Sequence, residues 1–165
     1  MAPELGRYAL VTEPIDLIGL AQPGLLGGAE VLITRSGTGL TDALVGALQS
    51  RAVNAVAVDS VPANAKAVIF LGGMRPVATV DEAIAVEREA YSVARDLAPS
   101  FAEDGGLFVS VQDTGGAFGT TPFAPERAYL SGLSALVKTA AQEWPKAALK
   151  AIDLEVGERS LADLA

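Results

Sequence analysis

The sequence lacks cysteine and histidine altogether, and aromatic side chains make up only 5% of its 165 residues. Without cysteine the chain forms neither disulfides nor thiolate zinc sites. Without histidine it has neither the commonest general base nor the commonest metal ligand. These absences exclude histidine-dependent triads and zinc hydrolases, and we expect no metal site.

Basic residues and long apolar runs are also scarce. The chain has 12 Lys and Arg residues against 20 Asp and Glu residues, which gives a net charge of −8. Proteins that bind nucleic acid place Lys and Arg along one face to neutralise phosphates. The N-terminus has neither the basic region nor the apolar stretch of a targeting signal. We therefore expect a cytoplasmic protein with no nucleic-acid partner and no membrane contact.

Apolar residues, which make up half of the chain, fall into short strand-like runs that alternate with helical patterns. The predicted strands are 30–34, 55–59, 67–71, 106–111 and 149–154, and the predicted helices are 41–50, 79–97 and 125–143. Continuous apolar strands alternating with helices are typical of a parallel sheet covered on both faces. The sequence therefore predicts a doubly wound, mostly parallel α/β sheet with three layers, as in Rossmann-like folds.

The two ends of the chain differ from this alternation. Residues 7–12 are predicted to form an N-terminal strand, which a linker rich in Gly and Pro follows, so that residues 1–29 stand apart from a main domain at 30–165. Residues 159–165 resemble the opening of a helix that is cut short. We expect the domain to be incomplete at its C-terminus and the chain to be a piece of a longer protein.

The turn after the first predicted strand of the main domain is the expected place for a dinucleotide pyrophosphate. Its residues 34–41, TRSGTGLT, resemble the cofactor loop T-G-x-x-x-G-x-G of short-chain dehydrogenases/reductases, with Arg35 and Thr41 at two of the three glycine positions. The cofactor-binding residues that this resemblance leaves are Thr34, Gly37, Gly39 and the strand-end acid Asp59. An ordinary structural turn accounts for the same residues.

The resemblance extends to the helix at 128–143, and it places the family's catalytic positions on other residue types. Phe123 stands at the proton-donating tyrosine and Arg127 at the lysine that lowers its pKa. Glu87 stands at the asparagine position, and either Asp113 or Ser110 stands at the serine position. Phenylalanine has no proton to donate, and arginine stays ionised. The resemblance therefore implies no catalytic residues in this chain.

A short-chain reductase fold without its catalytic groups is similar to the structural subdomain of ketoreductases in type I polyketide synthases and polyunsaturated fatty acid synthases. The stretches that carry this resemblance are R-Y-x-L at 7–10, LGG at 71–73, VQDTGGAFG at 111–119 and GLSALVKTAAQEWPKAALKAIDLE at 132–155. It implies a cofactor-free pseudoenzyme that braces a catalytic ketoreductase segment or other synthase domains, within an NADPH-dependent β-ketoacyl reductase system. Self-association through the apolar surface of residues 128–141 is a further expectation.

Two other interpretations stay open at the level of sequence. The first is a divergent NAD(P)-dependent 3-oxoacyl reductase that binds NADPH or NADH and uses Tyr129 or another proton donor. The second is a pseudoenzyme that binds a nucleotide as a sensor. The residues at positions 35, 41, 123 and 127 favour the scaffold over both.

Overall fold

The computed structural model describes residue 6, residues 11–15 and residues 22–165. The predicted N-terminal strand lies partly outside these ranges, at residues 7–10. For its described part, residues 11 and 12, the prediction of a strand is wrong, because Val11 and Thr12 belong to no strand and are exposed. Nothing in the described sheet pairs with them.

Five strands, four α-helices and one 3₁₀-helix follow in the described ranges. They are β1 (Val31–Thr34), α1 (Leu40–Gln49), β2 (Ala55–Val58), β3 (Ala67–Gly73), α2 (Val80–Asp104), β4 (Leu107–Gln112), the 3₁₀-helix (Pro125–Ser131), α3 (Gly132–Glu143), β5 (Ala148–Asp153) and α4 (Leu161–Leu164). None of the described helices is both long and apolar enough to cross a membrane.

The strands form one sheet in the order β2-β1-β3-β4-β5, and every neighbouring pair is parallel. This confirms the predicted doubly wound, Rossmann-like α/β fold. The chain moves outward from β1 to β2 and then returns to the other side of β1 for β3. Sheets of this kind bind ligands beyond the carboxyl ends of the strands, where the order reverses. Here that point lies between β1 and β3.

Alternate side chains of each strand enter two separate apolar cores. Val31 and Ile33 of β1 pack with α1 on one face, together with Leu164 of α4. Leu32 packs on the opposite face, in the core that contains the buried residues of α2 and α3. The sheet is therefore covered on both sides, which explains the near-continuous apolar strands of the sequence.

Two predicted helices have different bounds in the structure. The helix predicted for 79–97 continues as α2 to Asp104, past Pro99. Its last turns are held by Phe101, which is fully buried and whose ring centroid lies 5.5 Å from that of Trp144. The helix predicted for 125–143 is a 3₁₀-helix up to Ser131 and an α-helix only from Gly132. Tertiary packing sets both boundaries.

Candidate functional site

The loop after β1 is held from within by buried hydroxyl groups. Thr41 is 2% exposed, and its Oγ1 accepts a hydrogen bond from the Ser36 main-chain N–H at 2.9 Å. The same hydroxyl donates to the Thr34 carbonyl at 3.3 Å. Thr34 in turn accepts the Leu71 N–H on its own Oγ1 at 2.9 Å, which ties β1 to β3. The threonine at the third glycine position thus has a structural role, and Thr34 is buried beneath the loop.

The two remaining glycines of this loop differ in their surroundings. Gly37 is exposed and has a φ of +74°, a left-handed conformation that favours glycine. Gly39 precedes α1, and a Cβ built on it would lie 2.7 Å from Cδ1 of Leu161 in α4. Leu161 of α4 therefore packs against Gly39 at the N-terminus of α1, where a phosphate would bind in a dinucleotide site, and Gly39 itself stays exposed.

The predicted ribose-binding acid, Asp59, pairs with the residue at the first glycine position. Arg35 Nε lies 2.9 Å from Asp59 Oδ1, and Arg35 Nη1 lies 3.7 Å from Asp42 Oδ1. The side chains of Arg35 and Asp59 are 52% and 88% exposed. A pair this exposed contributes about 0–1 kcal/mol. Its main consequence is to bridge the loops that follow β1 and β2.

A second arginine, Arg75, bridges the loops that follow β1 and β3. Its Nε donates to the Arg35 carbonyl at 2.9 Å, and its guanidinium forms two hydrogen bonds with the Glu89 carboxylate of α2. The hydrogen bond to Glu89 raises the pKa of Arg75, partial burial opposes this, and the charge of Glu89 adds to the rise. No sequence motif singles out this pair, because Arg75 and Glu89 are close only in the folded chain.

A third arginine, Arg127, occupies the family's lysine position and binds main-chain carbonyls. Its Nε donates to the Asp113 carbonyl at 2.7 Å, its Nη1 to Arg75 at 3.1 Å and its Nη2 to Gly73 at 2.8 Å. The side chain is 15% exposed, and the Asp113 carboxylate lies 3.7 Å from Nε. The guanidinium therefore joins the carboxyl ends of β3 and β4.

The residues at the tyrosine and serine positions are also engaged in packing. Phe123 lies against Gly115 and Gly119 of the loop after β4. The Asp113 carboxylate accepts the Gly115 N–H at 3.2 Å and the Val156 N–H at 3.4 Å. Ser110 lies within β4, is 2% exposed, and its Oγ has no hydrogen-bond partner. Ser110 is thus enclosed in the sheet, whereas Asp113 is partly buried and lines a cleft at the carboxyl edge of the sheet.

The residue at the asparagine position, Glu87, places its carboxylate against Gly132 at the start of α3. One oxygen, Oε1, is buried without a hydrogen-bond partner, and a Cβ at position 132 would overlap the carboxylate. Burial raises the pKa of Glu87, and the main-chain N–H of Gly132 opposes this shift. The close approach of α2 to the start of α3 thus depends on glycine at position 132.

An acid that the sequence motifs did not identify organises the loop after β4. Asp153, the last residue of β5, accepts hydrogen bonds from the Thr114 N–H at 2.6 Å, the Thr114 hydroxyl at 2.9 Å and the Phe118 N–H at 2.6 Å. Successive main-chain N–H groups of this kind form a concave site for an anion. Here the anion is the protein's own carboxylate.

A small cleft of about 240 Å³ remains at the carboxyl edge of the sheet. Ligand pockets commonly measure about 300–1,000 Å³. Leu161 and Leu164 of α4 form part of its wall, and Tyr129 does not line it. Within the described ranges, no group of three or more acidic residues is arranged to hold a metal ion.

The structure therefore brings Arg35 together with Asp59, and Arg127 with Asp113, whereas Glu87 lies against the start of α3 and Ser110 is buried within β4. The predicted positions do not converge on one reaction centre. The chain matches no protein-family model, no curated protein and no solved structure. The fold is established by the coordinates, and any link to the reductases rests on the sequence motifs alone.

Proposed function

We propose that the chain is a non-catalytic, Rossmann-like structural subdomain that docks with and braces a catalytic ketoreductase in polyketide or fatty acid biosynthesis. The observation that carries this proposal is the state of Arg127. In the resembling family the residue at this position tunes a proton donor, whereas here three of its N–H groups are bound to main-chain carbonyls. The guanidinium therefore connects the strand ends. Because arginine occupies this position, the chain lacks the lysine that takes part in proton transfer in the resembling family.

The proposed absence of dinucleotide binding is supported by the loop after β1. Buried hydroxyls hold the loop, and Leu161 of α4 packs against Gly39 at the start of α1. Both contacts replace the glycine-lined space that a dinucleotide pyrophosphate needs in the resembling family. We therefore propose that the chain works without a cofactor. The alternative, a divergent NADPH- or NADH-dependent 3-oxoacyl reductase using Tyr129, gains no support, because Tyr129 is half exposed and lies outside the carboxyl-edge cleft.

The cofactor part of the proposal is tested by calorimetric titration of the chain with NADPH and with NADH. An active short-chain reductase with an intact glycine loop serves as the positive control. We expect no heat of binding at millimolar nucleotide, and sub-millimolar binding would refute the cofactor-free scaffold. The double variant R35G/T41G restores both loop glycines, and a gain of binding in that variant alone would identify the loop as a decayed cofactor site.

The bracing part is tested by co-expression. Catalytic ketoreductase segments of type I polyketide and polyunsaturated fatty acid synthases are purified with and without this chain. We expect the chain to co-purify with at least one segment and to raise its melting temperature and its NADPH-dependent reduction of a β-ketoacyl thioester. If no segment binds the chain or is stabilised by it, the bracing function is wrong.

A further inference from the structure

The loop over residues 114–125 exposes an aromatic side chain in a strained backbone conformation. Phe118 has a φ of +49° and is 43% exposed. This left-handed conformation crowds the Cβ of any L residue and is rare for bulky residues. A glycine would adopt it without strain, as Gly116 and Gly119 do on either side. Stability alone would therefore favour glycine at position 118, which suggests that the ring serves another purpose.

The strained residue belongs to a well-tied loop. The Phe118 N–H donates to Asp153 Oδ2 at 2.6 Å, and Thr114 donates twice to the same carboxylate. The Phe123 ring packs beneath, within 3.4 Å of the Cβ position of Gly119. Compact loops closed by their own side chains are often functional. The contacts with Asp153 and Phe123 thus hold the loop in which Phe118 is partly exposed to solvent.

The loop and the segments that adjoin it resemble a protein interface in composition. Residues 114–125 include no charged side chain, while Glu126 follows the loop and the Glu155 main chain lies against Gly116. Glu155 and Glu158 are exposed acids in the segment 154–160, whose one basic residue, Arg159, donates a hydrogen bond to the Glu155 carbonyl. Interface cores are depleted of charge and rich in aromatics, with polar rims. The loop is thus an uncharged surface, and the residues that adjoin it, Glu126 and 155–159, carry three exposed acids and one arginine.

We propose that the loop 114–125 is a docking surface, and that Phe118 enters an apolar pocket ringed by Lys and Arg on a partner protein. Charge complementarity favours such a basic partner over an acidic one. A second copy of the chain would bring the same net charge of −8 and would be repelled, and an anionic lipid surface would be repelled in the same way. The identity of the partner as a catalytic ketoreductase segment rests on the proposed function; the chemistry of its pocket does not.

The first experiment separates a docking role from a folding role. Phe118→Gly removes the ring and the strain, whereas Phe118→Ala removes the ring and keeps a Cβ in the left-handed conformation. For the isolated chain we expect Phe118→Gly to melt roughly 2–4 °C above Phe118→Ala and no lower than the parent. A Phe118→Gly variant that melts clearly below the parent would show that the ring stabilises the fold, and would overturn the proposal.

The second experiment identifies what the ring touches. The photoreactive residue p-benzoyl-phenylalanine replaces Phe118 in the full chain, with Tyr91, an exposed aromatic residue on α2, as the matched control position. The chain is irradiated with the catalytic ketoreductase segments and, separately, with the other domains of the same synthases. We expect a cross-link from position 118 and not from position 91, to a peptide that contains Lys or Arg beside apolar residues. Raising NaCl from ~0.05 M to ~0.5 M should lower the yield severalfold, because exposed charges are then screened.

The outcomes separate this surface from the proposed function. A cross-link from position 118 to a basic-rimmed pocket on a protein that is not a reductase would support the docking surface and contradict the bracing function. A reductase segment that co-purifies but cross-links only at position 91 would support the bracing function and contradict the docking surface. Cross-links from position 118 to a second copy of the chain or to lipid, or none at all, would overturn the surface.

Discussion

At the scale of single residues, Arg127 shows how one guanidinium can replace a catalytic group with a structural one. Its planar fork directs several N–H groups at fixed angles, which a lysine ammonium does not reproduce. Three carbonyls at the ends of β3 and β4 and in the loop after β3 share this one side chain. Removing the fork would leave partly buried acceptors without donors.

We predict that Arg127→Lys destabilises the protein by about 2 kcal/mol or more, because charged hydrogen bonds of this kind contribute ~1.5–3 kcal/mol each. The measurement is the urea midpoint of unfolding. Arg88→Lys, at an exposed position of α2, is the matched control and should leave the midpoint nearly unchanged. Equal midpoints for both variants would contradict a structural role for Arg127, although lysine is the residue that the reductase motif itself would place there.

Glu87 gives a prediction on pH, because burial raises the pKa of this carboxyl in the folded state above its ordinary value of 4.5. A raised folded pKa means that the folded state binds the proton more tightly, so the carboxyl contributes most to stability below the unfolded pKa. That contribution is lost as pH rises through the folded pKa. At neutral pH the charged carboxylate therefore lowers the stability of the fold.

We accordingly predict that Glu87→Gln melts above the parent at pH 7, and that the two converge as the pH falls toward 4. Melting curves over this range are the measurement. Glu103→Gln removes the same charge from an exposed position of α2 and controls for the change in net charge. A Glu87→Gln variant that melts lower at pH 7 would mean that the carboxylate's interaction with the start of α3 outweighs its burial.

Residue roles were predictable where a motif fixes a position, and not where contacts join distant parts of the chain. The motif locates Arg127 and Asp59, but it does not reveal their acceptors and donors. Asp153 ends a strand with an ordinary sequence, and only the fold brings it beneath Phe118. The pairing of Arg75 with Glu89 likewise depends on where α2 packs.

At the scale of elements, the positions of the strands could be predicted from local composition, whereas the ends of the helices could not. All five described strands lie within a residue or two of their predicted bounds, because each is a short apolar run. The helix predicted for 79–97 continues past Pro99 to Asp104, since the buried side chain of Phe101 holds the turns beyond the proline. Long-range packing of this kind leaves no local signal.

We predict that Phe101→Ala destabilises the protein by about 3–5 kcal/mol, the usual cost of removing a large buried aromatic side chain. Trp144 is the single tryptophan, is 4% exposed and makes an edge contact with Phe101, so its fluorescence should report the loosening. Hydrogen exchange should rise most in residues 98–104. Tyr91→Ala, an exposed aromatic residue of the same helix, should have little effect. If residues 98–104 keep their protection, the packing explanation for the helix end is wrong.

At the scale of the whole molecule, the acidic charge and the ion pairs act in opposite directions. The net charge of −8 causes self-repulsion that salt screens and thereby weakens. Salt also weakens the exposed pairs, such as Arg35 with Asp59 and Lys66 with Asp104. Such pairs contribute about 0–1 kcal/mol each. The partly buried arginine contacts at the carboxyl edge are screened less.

We therefore predict that the melting temperature rises when NaCl is raised from ~0.01 M to ~0.15 M, as the Debye length falls from ~30 Å to ~8 Å. Repulsion among the excess carboxylates is the larger of the two opposing effects, because most of the acidic residues in the described part of the chain have no basic partner. The control is the same salt series at a pH near the isoelectric point of about 4.5, where the net charge vanishes and the rise should disappear. A melting temperature that falls with salt at pH 7 would instead mean that the bridges between the strand-end loops dominate the electrostatics of the fold.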